Sequence, residues 1–178
     1  MKTLQKTIAL VALATLIFSS NAFAQISATA PVSINLKKAL TISNIGGSLA
    51  FGDVVVTGAL QTESITNANG ANFLVTGHPN KDVTITYSDV TLTNDAWNTT
   101  NGAVGNDATL TFAADMNHTG STATWAAGTS VSTGGDTHAL VNDAGTGKLY
   151  LWVGGDIDVA ADQNHGDYVG TLTVEVAY

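Results

Sequence analysis

Apolar residues in this chain recur at every second position, and no window carries them at helical spacing over several turns. Val83, Ile85 and Tyr87 alternate with Thr84 and Thr86; Leu110 and Phe112 alternate with Thr109 and Thr111; Leu149, Leu151 and Val153 alternate with Tyr150 and Trp152. A period of two places successive side chains on opposite faces of an extended backbone, so each run predicts a half-buried β-strand. Between the runs stand turn-formers: Asn69-Gly70, His78-Pro79-Asn80, Asn101-Gly102, Gly134-Gly135, Gly145-Thr146-Gly147 and Gly154-Gly155. Short strands cut at short intervals by such residues predict an all-β protein built as an antiparallel β-sandwich. The Gly-, Thr-, Ser- and Asn-rich stretches 94–107 and 117–143 are expected to form the longer loops. No internal repeat or linker divides the sequence, and its length suits one domain.

The first residues stand apart from this pattern. Lys2 and Lys6 precede the apolar run Ile8 to Phe18, and Ala22-Phe23-Ala24 follows it. This is the layout of a secretory signal peptide over residues 1–24, the apolar run being too short to span a bilayer as a helix. Cleavage after Ala24 would leave Gln25 first and would take the formal charge from −8 to −10, because two lysines leave with the leader and no acid does. The sequence contains no arginine. An acidic chain with four remaining lysines offers no cationic stripe to neutralise phosphates, so no nucleic-acid partner is expected, and anionic membranes are equally poor partners. With no cysteine, an exported domain must rely on strand pairing and core burial where others use disulfides. No later stretch is apolar enough for a spanning helix, and no wall-sorting or lipid-anchor signal was found, so the mature protein is expected to be released or held by other proteins.

Two terminal stretches carry the strongest alternation. After the cleavage site, Ile26, Ala28, Ala30, Val32, Ile34 and Leu36 are apolar, while Ser27, Thr29, Ser33 and Asn35 are polar and Pro31 breaks the polar series. At the other end Leu172, Val174, Val176 and Tyr178 alternate with Thr171, Thr173, Glu175 and Ala177, which predicts a strand reaching the last residue. An unpaired strand with an apolar face invites edge-to-edge association. If the domain lacks one strand of its own sandwich, the segment 25–36 of a neighbour can fill the gap by strand addition, seating every second side chain in the open groove. The alternative is an N-terminal segment that forms the first strand of its own domain. Pro31, which lacks an N–H, marks either a bulge or the end of an inserted strand.

Three stretches carry a resemblance. Leu49-Ala50-Phe51-Gly52-Asp53-Val54 resembles the L-x-F-G strand of archaic chaperone–usher pilins and of a related family of secreted bacterial domains of unknown function. The ending from Gly166-Asp167-Tyr168-Val169-Gly170-Thr171 through Val174, Val176 and Tyr178 is similar to those families' G-x-Y-x-G-T-x-x-V-x-V-x-Y. Phe73-Leu74-Val75-Thr76-Gly77-His78-Pro79, followed by Val83-Thr84-Ile85, is similar to a hairpin of the uncharacterised family, with Val83 where an aromatic is usual. The resemblance implies an incomplete immunoglobulin-like sandwich spanning 37–178, completed by a donor strand. The extension 25–36 would be that strand, with Ile26, Ala28, Ala30, Val32 and Ile34 as pocket-filling residues. Leu172, Val174, Val176 and Tyr178 would border the acceptor groove. It also implies a major pilin of an extracellular fimbrium, supporting adhesion or biofilm formation. Its partners would be copies of itself, a periplasmic chaperone and an outer-membrane usher. The chain departs from typical members of that pathway in having no cysteine pair near the first strand.

Enzymatic patterns are weak. His78, His118, His138 and His165 all neighbour loop-forming residues and are expected to be solvated there, with no i,i+4 pair on a helix face. No G-x-S-x-G elbow, phosphate-binding loop or dinucleotide fingerprint occurs. No enzymatic activity and no cofactor are expected. Asp156, Asp158, Asp162 and Asp167 form an acidic cluster of the kind calcium favours, but without EF-hand spacing. Trp97, Trp125 and Trp152 are candidates for a sugar platform or for core packing. A self-complete β-sandwich adhesin binding glycan or calcium is therefore the alternative to a filament subunit.

Overall fold

A computed structural model of the chain describes residues 28–102 and 108–178. The expected leader over 1–24 and the first donor position, Ile26, lie outside the described residues. The chain divides into two units, Met1–Asn35 and Leu36–Tyr178. In the first, residues 28–35 are exposed and carry no strand or helix.

The second unit is all-β and sandwich-like, built of curled antiparallel sheets. Among the described residues its strands are β1 (Thr41–Gly46), β2 (Gln61–Ile65), β3 (Ala71–Gly77), β4 (Asp82–Thr86), β5 (Val90–Thr93), β6 (Thr109–His118), β7 (Thr129–Val131), β8 (Asp136–Ala139), β9 (Val141–Asp143), β10 (Thr146–Val159) and β11 (Glu175–Ala177), with one helix, α1 (Asp95–Asn101). The larger sheet runs β1-β3-β10-β6-β5, with β2 and β9 also on β10 and β7 on β6; the smaller runs β11-β4-β8.

β10 organises the larger sheet. Its 14 residues pair with β3 from Gly147 to Val153, with β2 from Gly155 to Val159, and with β6 from Leu151 to Ile157. Leu149, Leu151 and Val153 face the core as the alternation predicts, but Trp152 on the other face is buried too. Its indole N–H donates to Thr119 Oγ1 at 2.9 Å and its ring meets Trp125 edge-on, so both faces of mid-strand are covered. Gly154 belongs to this crossing: a Cβ there would collide with the Ile65 carbonyl oxygen, which passes directly over it.

The main core gathers Val75, Ile85, Met116, Leu140, Leu149 and Leu151, all fully buried, with Tyr87 donating its hydroxyl to the Val131 carbonyl at 2.7 Å. A second cluster forms around Phe112, Ile157 and Val159, with Leu49, Phe51 and Val54 packed on it. Phe51 meets Phe112 edge-on, with ring centroids 5.9 Å apart.

Four expectations need correction. The stretch expected as loop from Asn94 holds helix α1, because the Asn94 side chain caps it by accepting from Trp97 N at 3.0 Å. The stretch 117–143 holds β7, β8 and β9, short strands that polar composition hides. His118 and His138 sit on β6 and β8 and not in loops, with ring centroids 4.3 Å apart. The strand expected from Leu172 to Tyr178 is regular only over Glu175–Ala177, since β4, its ladder partner there, ends at Thr86.

Candidate functional site

The segment 166–178 is paired along one flank. Val169 and Thr93 exchange backbone hydrogen bonds of 3.0 and 2.9 Å, and β11 pairs Glu175 with Thr86, Val176 with Ile85 and Ala177 with Thr84. The smaller sheet ends at β11, and β1, at the border of the larger sheet, pairs with β3. Among the described residues, no strand joins β11 to β1. The two sheets therefore stay open toward each other along this side.

A groove occupies the opening in two parts. The first, about 440 Å³, is lined by Leu40, Thr41 and Ile42 on one wall and by Val174, Glu175, Val176 and Ala177 on the other. The second, about 740 Å³, lies between residues 49–54 with Val56 and residues 163–170, with Leu92, Leu110, Ile157 and Val159 also lining it. Leu40, Ile42, Leu172, Val174 and Val176 are partly buried against the main core, so the first part exposes side chains whose inner surfaces already belong to it. Leu49, Phe51 and Val54 play the same part for the second cluster. Val55, Leu60 and Val169 remain exposed. Partly exposed apolar surface of this kind marks an interaction or ligand-binding groove.

Tyr178 follows Ala177 at one end of the first part's wall. Its hydroxyl accepts from His78 N at 2.6 Å and donates to the Lys38 carbonyl at 2.8 Å. The Lys37 ammonium stands over the ring at 5.0 Å from its centroid. Lys38 is itself held, its ammonium donating to Gly145 O at 2.5 Å and lying 3.2 Å from Thr146 Oγ1. Gly77 makes room, for a Cβ there would come within 2.5 Å of the phenolic oxygen. The other end is shaped by Asn94, whose buried amide donates to the His165 carbonyl at 3.1 Å and leaves no space for a side chain at Gly166.

Val174 and Val176 line one wall of the first part, Leu172 packs against the main core and Tyr178 follows Ala177 on the same segment, although the sequence gives no hint that Lys37 and Lys38 meet the tyrosine. Of the donor positions, Ala28, Ala30, Val32 and Ile34 are exposed, Val32 by 96% and Ile34 by 80%, while Ile26 is outside the described residues.

The four aspartates are not gathered. Asp156 and Asp158 take alternate exposed positions on β10, Asp158 accepting from Thr62 Oγ1, while Asp167 lines the second part of the groove. Among the described residues no three His, Cys, Asp or Glu side chains are placed to hold a metal ion. Trp97 packs on His165 and Trp152 is buried, so the three tryptophans form no common platform. The histidine pair is a feature that sequence reading missed. Burial, reinforced by the neighbouring His138, holds the His118 pKa below its ordinary value, opposed by Asp136.

A family model described as a domain of unknown function, DUF4402, matches residues 35–178. The chain belongs to this family. The match takes in both walls of the groove and begins one residue before the compact unit of the DUF4402 domain. A search among curated proteins found no match.

Proposed function

We propose that this DUF4402 chain is the structural subunit, a major pilin, of an extracellular filament assembled by donor-strand exchange. In this reading the domain is an incomplete immunoglobulin-like sandwich, and residues 25–36 of one copy fill the groove of the next. One combination supports it: among the described residues, 28–35 are exposed and carry no strand within an alternating apolar sequence, and apolar side chains line a groove whose first part lies beside the sheet-end strands β1 and β11.

The magnitude suffices for a durable joint. Six small-to-medium apolar side chains contribute roughly 1–2 kcal/mol each on burial, on the order of 10 kcal/mol before ordering costs, with ladder hydrogen bonds added. Pro31 removes one N–H from that ladder, which a strand can tolerate where its neighbour is irregular. A head-to-tail contact that does not close into a ring propagates as a fibre. The subunit would pass through the periplasm, held there by a chaperone that covers the groove and handed to an outer-membrane usher. It would finish at the cell surface in a fibre serving adhesion or biofilm formation. Its role would be structural and not catalytic.

The test compares mature protein with a version lacking residues 25–36. Full-length protein is expected to give ladders in detergent without heating that collapse on boiling, and the truncated protein none. Equal assembly of the two would refute the reading.

A further inference from the structure

We infer that Tyr178 is the stop that sets the register of the inserted strand; this rests on the donor-strand reading above. The phenol crosses from the free edge of β11 to Lys38, three residues before β1, so it bars the groove where the first part ends. Its bonds to Lys38 and His78, the Lys37 ammonium over its ring and the anchoring of Lys38 on Gly145 make the bar a tied structure and not a free terminal side chain.

A barred end fixes direction. Leu36 of the donor continues into a folded domain, which cannot pass beneath Tyr178, so only the free end that begins at Gln25 can lie against the bar. The donor must then run antiparallel to 166–177. Both stretches hold twelve residues, about 40 Å of extended chain at 3.3 Å per residue. Ending the donor at the bar places Ile26 opposite Val176, Ala28 opposite Val174 and Ala30 opposite Leu172. Directly opposite residues of an antiparallel pair share a face, so every apolar donor residue points inward with the apolar wall. A slip of two residues would keep that polarity, and nothing in the alternation forbids it. The bar supplies what the repeating pattern lacks.

The absence of cysteine allows a clean cross-linking test in the full mature chain. Ile26→Cys with Val176→Cys reports the proposed register, Ala28→Cys with Val176→Cys a slip of two toward the bar, and Ile34→Cys with Val176→Cys the reverse direction. Under oxidation the first pair is expected to give boiling-resistant ladders dissolved by reductant, with the other two giving little product. Adding Tyr178→Ala is expected to abolish the preference between the first two pairs. Tyr178→Phe, which keeps the ring and loses both hydrogen bonds, is expected to weaken it while leaving the fold intact by thermal melting. Unchanged preference in both tyrosine variants, with ladders still forming, would overturn the stop and leave strand exchange standing. Disulfides closing within single chains, or no ladder from any pair, would overturn strand exchange and the stop together.

Discussion

The side-chain amide of Asn94 donates to the carbonyl oxygen of His165 across 71 residues of sequence. The same side chain accepts from Trp97 N, so one fully buried asparagine both caps α1 and holds the start of the 166–178 wall. Asn94→Ala removes a helix cap and leaves the Trp97 N–H and the His165 carbonyl, both bonded at part-buried positions, without this partner. A loss of about 1–3 kcal/mol is expected in chemical denaturation. Hydrogen exchange should quicken at residues 163–170, while β3 and β10 remain protected.

Val32 and Ile34 are exposed by 96% and 80%. Val32→Asp or Ile34→Asp should leave the monomer's melting unchanged within about 0.5 kcal/mol, as surface substitutions do. Assembly should be lost, because a carboxylate would have to enter an apolar groove unpaired. The check is melting and an unheated detergent gel on the same preparation.

Ile85 is fully buried in β4 directly opposite Val176. Ile85→Ala opens a cavity beneath the groove wall and should cost about 2–5 kcal/mol in urea unfolding. Val176→Ala, at a partly buried position, should cost less in the monomer but weaken the joint between subunits. The two effects separate when stability and assembly are measured on both variants.

His118 on β6 faces His138 and Asp136 on β8, with the His138 imidazole 3.3 Å from the Asp136 carboxylate. Because the folded state holds the His118 pKa below 6.5, the unfolded chain takes up its proton first as pH falls. The neutral ring therefore favours the fold above about pH 6.5, and this contribution fades as the pH drops below it. Asp136 has its pKa lowered by hydrogen bonds from Ser132 and Thr137 N–H. What it adds is present above the ordinary carboxylate range and is lost only at more acid pH, below about 4. Melting temperature should fall between pH 7 and pH 5.5, and His118→Gln should flatten that slope while leaving the acid limb in place.

The period-two alternation made the strands legible, since Val83 and Ile85, or Leu149 and Leu151, have no other way to share a face. The apolar face of the last stretch was legible for the same reason. Helix α1 was hidden because its stability comes from one cap and not from an apolar stripe. β7 to β9 were hidden because Ser, Thr, Asp and His form their ladders with little apolar signal. The bar at Tyr178 could not be read at all: its bonds to Lys38 and His78 span 140 and 100 residues, and no local pattern encodes a contact at that range.

The central claim is that the groove takes the sequence of residues 25–36, and the most direct measurement adds a synthetic peptide of those residues to protein lacking them. Saturable binding with a rise in melting temperature, absent for a peptide in which Val32 and Ile34 are replaced by aspartate, is the predicted result. A melting curve unmoved by the native peptide, or moved equally by the aspartate version, would contradict it.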